Sequence, residues 1–228
     1  MTVKYRTTGL VFGKTDKNET DQSISVFTKD FGRLEITAKA VRKITSKLRA
    51  GVDVFYLSEV EFIQGKNNKT LTDAAKIKKF NCTNISRQIA TDLDRFVKGQ
   101  EKDEQIFNLV IETLEKRENS RLLYQYFFWN FLALQGFRLS IENCATCHSK
   151  INPYNIYFSA KDGGALCKNC FNRTRSCKKI NSDVVKILKL IFNKEWGIVS
   201  RLKVEQYSKD LLKEVYEDSV KTFCPEYC

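Results

Sequence analysis

No stretch of this 228-residue chain is apolar for long enough to cross a bilayer. The richest candidate, residues 122–137 (LLYQYFFWNFLALQGF), is interrupted by Gln125, Asn130 and Gln135 and falls short of the ~20 apolar residues a span requires. It reads as a buried helix. The first nine residues, MTVKYRTTG, lack the apolar core of an export signal, so a reducing cytoplasm is the expected compartment. A phosphate loop of the G-x4-G-K-[ST] type is missing, as is any cluster of carboxylates that would hold catalytic metal ions. Histidine is nearly absent: His148 stands alone, and its place beside a cysteine pair favours a structural role over that of a general base. The chain is therefore expected not to be an enzyme.

Positive charge is abundant. Lysine and arginine outnumber the acids 39 to 27, giving a net charge of +12 and favouring nucleic acid or an anionic membrane surface as partner. Simple solubility charge is the plainer alternative. From Arg33 to Arg49 six cations (Arg33, Lys39, Arg42, Lys43, Lys47 and Arg49) face one acid, Glu35, a local charge of +5. Mixed lysine and arginine with no base-reading pattern points to the sugar-phosphate backbone rather than to sequence. Phe27, Phe31, Phe55 and Tyr56 are candidate stacking rings, with core packing the competing reading of each.

Eight cysteines are present, and four of them form the most specific signal in the chain. Cys144, Cys147, Cys167 and Cys170 make two C-x2-C pairs separated by nineteen residues. Two such pairs returned by a hairpin complete a tetrahedral sulfur shell, the usual closed structural site of zinc. The first pair with His148 also matches the haem-attachment pattern C-x-x-C-H, and a redox dithiol is a further alternative. Haem would leave the second pair unexplained, and the sole methionine is the initiator. Cys82 and Cys177 read as ordinary thiols, with Cys177 close enough to Cys170 in sequence to be a spare ligand. Cys224 and Cys228 read as free thiols on a tail.

Hydrophobic periodicity divides the chain. Up to about residue 80 it is two, over 4–12, 23–28, 33–39, 52–63 and 69–75, with Leu34, Ile36 and Ala38 inward and turns at 30–32 and 64–68. Five short strands that leave no raw edge suit a small barrel of the OB type, although an SH3-like barrel fits the periodicity equally. From residue 84 the period is 3.6. Ile85, Ile89, Leu93 and Phe96 make one apolar face; Ile106, Leu109, Val110 and Leu114 a second; Val184, Ile187, Leu188 and Ile191 a third; Val204, Tyr207, Leu211 and Val215 a fourth. Gly136 is a helix C-cap. The expected fold class is α+β multidomain: a five-stranded OB-type barrel, then an all-α bundle with an inserted four-cysteine zinc ribbon. The corresponding domains are 1–80 for DNA binding, 81–140 with 180–223 for the helices, 141–179 for the zinc module and 224–228 as tail.

In order and spacing, residues 8–11 (TGLV), 27–34 (FTKDFGRL), 40–48 (AVRKITSKL), 60–65 (VEFIQG), 134–137 (LQGF) and 158–167 (FSAKDGGALC) resemble the RecO family of bacterial DNA repair and recombination mediators, nearly end to end. That resemblance implies an OB fold, a helical domain and a structural zinc site. It also implies binding of single- and double-stranded DNA, annealing of complementary strands, and work with RecR in loading the recombinase onto DNA coated by single-strand-binding protein, whose acidic C-terminal tail is a further partner. It carries Arg33, Lys39, Arg42, Lys43, Lys47 and Arg49 over as DNA contacts and the four cysteines as zinc ligands. The chain departs from the family pattern twice. A proline usual before the first cysteine pair is missing around residues 139–143, and His148 stands where a small residue is common, straining the turn that aims amides at sulfur. The competing function is a zinc-ribbon adaptor that binds only proteins.

Overall fold

The computed structural model describes residues 3–66, 68–116, 120–174 and 177–223, so Cys224 and Cys228 lie outside the described residues. The chain condenses into two units, 1–119 and 120–228.

In the first unit, β1 (Lys4–Asp16), β2 (Gln22–Thr28), β3 (Gly32–Ala38), β4 (Tyr56–Gln64) and β5 (Lys69–Lys79) close a barrel in the order β1-β2-β3-β5-β4. All neighbours are antiparallel except β3 and β5, which pair in parallel through Ile36 with Lys69 and Thr37 with Thr70. That single parallel closure is the OB arrangement, and it decides between the two barrels the periodicity allowed. The alternation works as expected: Leu34, Ile36 and Ala38 point into a core shared with Val11, Ile24 and Val60. Gly32 turns the β2–β3 hairpin with φ at +60, and a Cβ there would strike the Glu101 backbone, so only glycine serves.

Two strand limits differ from the sequence reading. β4 starts at Tyr56 rather than near Val52, because a short 3-10 helix, Lys47–Gly51, and a left-handed Phe55 (φ 65) bend the chain before it can pair. β5 runs on to Lys79 past residue 75, where Lys76, Ile77 and Lys79 are all exposed and no inward residue marks the strand.

Two helices complete the unit. Thr83 opens α1 (Asn84–Phe96) with a capping box to Ser86, and the Asp103 carboxylate caps α2 (Glu104–Glu115), each cap contributing about 1 kcal/mol. α2 docks on the barrel through Phe107, whose ring centre lies 6.0 Å from that of Phe27.

In the second unit, α3 (Arg121–Leu134) is buried along most of its length, as its many aromatic residues demand. It ends in a Schellman turn: Gly136 (φ 90) donates to the Ala133 carbonyl and Phe137 to that of Leu132. A small sheet follows, β6 (Ile156–Ser159) flanked by β7 (Gly164–Leu166) and β8 (Lys178–Ile180), with the one-turn α4 (Lys168–Phe171) between β7 and β8. Gly164 admits the Ser140 backbone where any Cβ would collide.

Then come α5 (Ser182–Phe192), packed on α3, the short α6 (Trp196–Val199) and α7 (Gln206–Phe223). The inward face of α7 is Ser208, Leu211, Leu212, Val215 and Ser219 rather than one containing Tyr207, which is 65% exposed. The helix is rotated so that the Ser208 hydroxyl accepts from the Asn181 amide at 2.9 Å. No described helix is long and apolar enough to cross a membrane.

Candidate nucleic-acid interface and metal centre

The connection from β3 to β4 is held at both ends. Val41 and Val52 are buried in the barrel core and Leu48 packs against it. The Asp21 carboxylate accepts from the Ala40 amide at 2.7 Å, a bond that, with the Asn18 amide, holds this carboxyl below the usual range. Gly51 lies against the Ala74 backbone, and its carbonyl accepts from the Ser58 hydroxyl at 2.6 Å. Between these anchors residues 42–45, Lys47, Arg49 and Ala50 are exposed. Ile44, in the middle of the loop, is 92% exposed.

The six cations singled out by the sequence divide in two. Lys39, Lys43, Lys47 and Arg49 are exposed and make no ion pair among the described residues. Arg42 is drawn to Asp16 at 3.1 Å. Arg33 is more firmly engaged: its guanidinium meets Asp94 at 2.7 Å and Glu35 at 3.3 Å, donates to the Asp94 carbonyl at 2.9 Å, and lies 5.6 Å from the centre of the Phe12 ring. Arg33 thus ties α1 to the barrel. Its replacement by glutamine should lower stability by about 1–2 kcal/mol, read as a fall in thermal midpoint, because charge-assisted bonds to one part-buried group are removed. Nucleic-acid affinity should hardly move.

The rings divide likewise. Phe27 and Phe55 are buried, and Phe31 packs edge-on against Tyr5 and Phe62. Tyr56, half-buried like Phe31, has the Lys76 ammonium 5.3 Å and the Lys79 ammonium 6.0 Å from its ring centre. Since Gly51 abuts Ala74, the end of the basic loop is carried beside the strand that bears Lys76. These two lysines are additions to the sequence reading. The run KIKK at 76–79 was their signal, hidden by a strand limit set too early.

The four cysteines do converge. Their sulfurs lie within 4.8 Å of one another, and those of Cys147 and Cys167 are 3.7 Å apart. A tetrahedron with metal–sulfur bonds of ~2.3 Å has an edge of about 3.8 Å, so the donor set fits a four-coordinate thiophilic ion and leaves no position open. The turns aim amides at sulfur: the Cys167 amide points at the Cys144 sulfur, 3.5 Å away. The Ser149 hydroxyl and amide pull the Cys147 thiol down to about 6, whereas the Cys147 sulfur, with burial, pushes Cys170 up to about 12. Four thiolates this close ionise together only around a cation. Cys177 packs beside the cluster without joining it.

His148 sits at φ 59, the left-handed region in which a Cβ is costly. The strain inferred from its position is thus present, because its amide must reach the Cys144 carbonyl at 2.9 Å while Ser149 turns back toward Cys147. Exchange of His148 for glycine should stabilise the turn by about 1 kcal/mol. Slower metal loss to a competing chelator would report it.

Known proteins bear on the whole chain. The family models described as the N-terminal and C-terminal regions of recombination protein O match residues 1–80 and 89–221. A DNA repair protein RecO of Dehalococcoides mccartyi strain BAV1 is 31% identical over 92% of this chain and 86% of its own length. The RecO proteins of Caldanaerobacter subterraneus and Listeria monocytogenes HCC23 are 24% and 23% identical over 95% and 96% of this chain, and over 92% and 88% of their own. With both regions matched in order across an OB barrel, helices and a four-sulfur site, the chain belongs to the RecO family of DNA repair proteins.

Proposed function

We propose that this protein is an ATP-independent recombination mediator that binds single- and double-stranded DNA and anneals complementary strands. The observation that carries the reading is the group of exposed cations without ion pairs on the pinned barrel loop, Lys39, Lys43, Lys47 and Arg49, continued by Lys76 and Lys79 around Tyr56. Lysine and arginine there replace condensed counterions on the phosphates, and Tyr56 offers a face on which a base stacks. Annealing makes and breaks no covalent bond. Two strands whose phosphate repulsion is screened and whose ends are held together meet at raised effective concentration, and pairing follows. No side chain is assigned a catalytic part.

On this reading residues 1–80 bind DNA, 81–140 and 180–223 form the helical domain, and 141–179 hold zinc in a structural site. Family membership extends the reading to RecR, to the acidic tail of single-strand-binding protein and to loading of the recombinase in the cytoplasm, at the nucleoid. The test is a strand-annealing assay with purified protein and complementary oligonucleotides. Annealing should proceed without nucleotide and fade steeply as salt rises. Binding of acidic tail peptide with no annealing at any salt concentration would replace the mediator with a protein-only adaptor.

A further inference from the structure

The loop on the barrel is not the only place where cations stand without partners. Residues 143–180 hold seven lysines and arginines against a single acid, Asp162, whose carboxylate accepts from the Ser159 hydroxyl at 2.6 Å. A divalent ion on four thiolates carries a charge of about −2, so the segment stays strongly positive even with its site filled. More cations are present than the metal centre needs.

Three of them gather round one aromatic pair. Antiparallel pairing sets Lys179 of β8 directly opposite Tyr157 of β6, so the two side chains leave the same face of the small sheet. The Tyr157 ring lies on that of Phe171, centres 3.8 Å apart and planes within 12°. Phe171 ends α4, the turn that begins at Lys168, and Arg173 follows two residues later. Lys168, Arg173 and Lys179 are exposed and make no ion pair among the described residues, whereas their neighbour Lys178 is taken by Glu214 at 3.5 Å.

Tyr154 stands just before β6. It is 84% exposed, and its amide is fixed by the Asn152 side chain at 3.0 Å. Free lysines and an arginine around a flat apolar floor, with an uncovered phenol nearby, match the chemistry of a single nucleic-acid strand: phosphates for the cations and a base face for the ring.

We infer that the four-cysteine module carries its own surface for single-stranded DNA, formed by Lys168, Arg173, Lys179 and Tyr154 on the Tyr157–Phe171 floor. This goes beyond the barrel loop proposed above. A mediator that brings two strands together gains from two surfaces, each able to hold one.

The first test uses the metal-loaded full chain and a single strand containing 4-thiothymidine. After irradiation and proteolysis, cross-links should appear in peptides covering residues 150–179 as well as in those covering 39–79. Cross-links confined to the barrel would overturn the inference.

The second test compares the native protein with the triple variant Lys168→Gln, Arg173→Gln, Lys179→Gln, metal content being checked by colorimetric titration. The slope of log K against log salt should shrink by about 0.7 for each phosphate no longer neutralised, so by about 2 in all. A variant that keeps its metal and its full slope would overturn the inference. So would a loss limited to acidic peptides. A variant that sheds its metal returns the decision to the cross-linking of the native chain.

Failure of the barrel reading is recognised separately. Ribbon cross-links should persist when the loop cations are reversed, and their disappearance there would mean that the ribbon has no independent hold on DNA.

Discussion

Replacing both Lys43 and Arg49 by glutamate is expected to weaken single-strand binding by at least about 25-fold near 0.1 M salt and to flatten its salt dependence by about 1.4 in log–log slope. Each neutralised phosphate contributes roughly 0.7 to that slope for a single strand, because the counterions it releases are diluted into bulk. Both residues are exposed and make no ion pair among the described residues, so their removal takes nothing from the fold. Reversal of sign adds repulsion to the missing attraction, which makes 25-fold a lower limit. The comparison with Arg33 makes the experiment specific. That residue is equally cationic, yet bound to Asp94 and Glu35. Its replacement should therefore alter the melting temperature and leave the slope in place. An unchanged slope in the Lys43/Arg49 variant, measured by fluorescence anisotropy from about 0.05 to 0.3 M salt, would remove the loop from the DNA-binding surface.

The second large effect is expected on removing the metal proposed for the four sulfurs, or one of its proposed ligands by Cys144→Ser. Structural zinc supplies about 10–16 kcal/mol of apparent folding free energy in zinc-finger peptides, more than the small sheet formed by β6, β7 and β8 could provide by itself. Cys144 is wholly buried, and it forms one buried cluster with Leu166 and Cys170. Amide hydrogen exchange should show protection vanishing across residues 143–180, with the barrel strands as internal reference. The proton balance has a definite sign. Without metal near pH 7, Cys147 at about 6 is mostly thiolate while Cys170 at about 12 is a thiol, so metal uptake must expel a proton from the Cys170 side. Acid therefore favours release. A titration in weak buffer should register the protons as metal is added; uptake without proton release, or protection that survives chelation, would show that the sulfurs are not the ligands.

How legible each feature was depended on how local its cause is. The inward register of Leu34, Ile36 and Ala38 follows from alternation alone, and the Gly136 cap from the chain reversal that ends an apolar helix. Cysteine spacing sufficed for the convergence of the four sulfurs because two short turns determine where they go. The status of Arg33 and Arg42 did not follow, since each is held by an acid from another part of the chain: Asp94, 61 residues from Arg33, and Asp16 for Arg42. Net charge counts a cation whether or not it is already held. Tyr207 was misplaced for a similar reason, because the face of α7 is set by small hydroxyl residues that hydropathy ignores. The OB and SH3-like barrels differ in which strands finally meet, and alternation says nothing of pairing.

That meeting of β3 with β5 is narrow, resting on two opposed residue pairs, whereas the other four seams of the barrel run for several residues each. Closing it gathers in some thirty residues, the basic loop among them, for only two opposed pairs, so this seam gives the least enthalpy for the loop it closes. Breathing of the barrel should therefore begin there, at the junction whose ends lead directly into the basic loop.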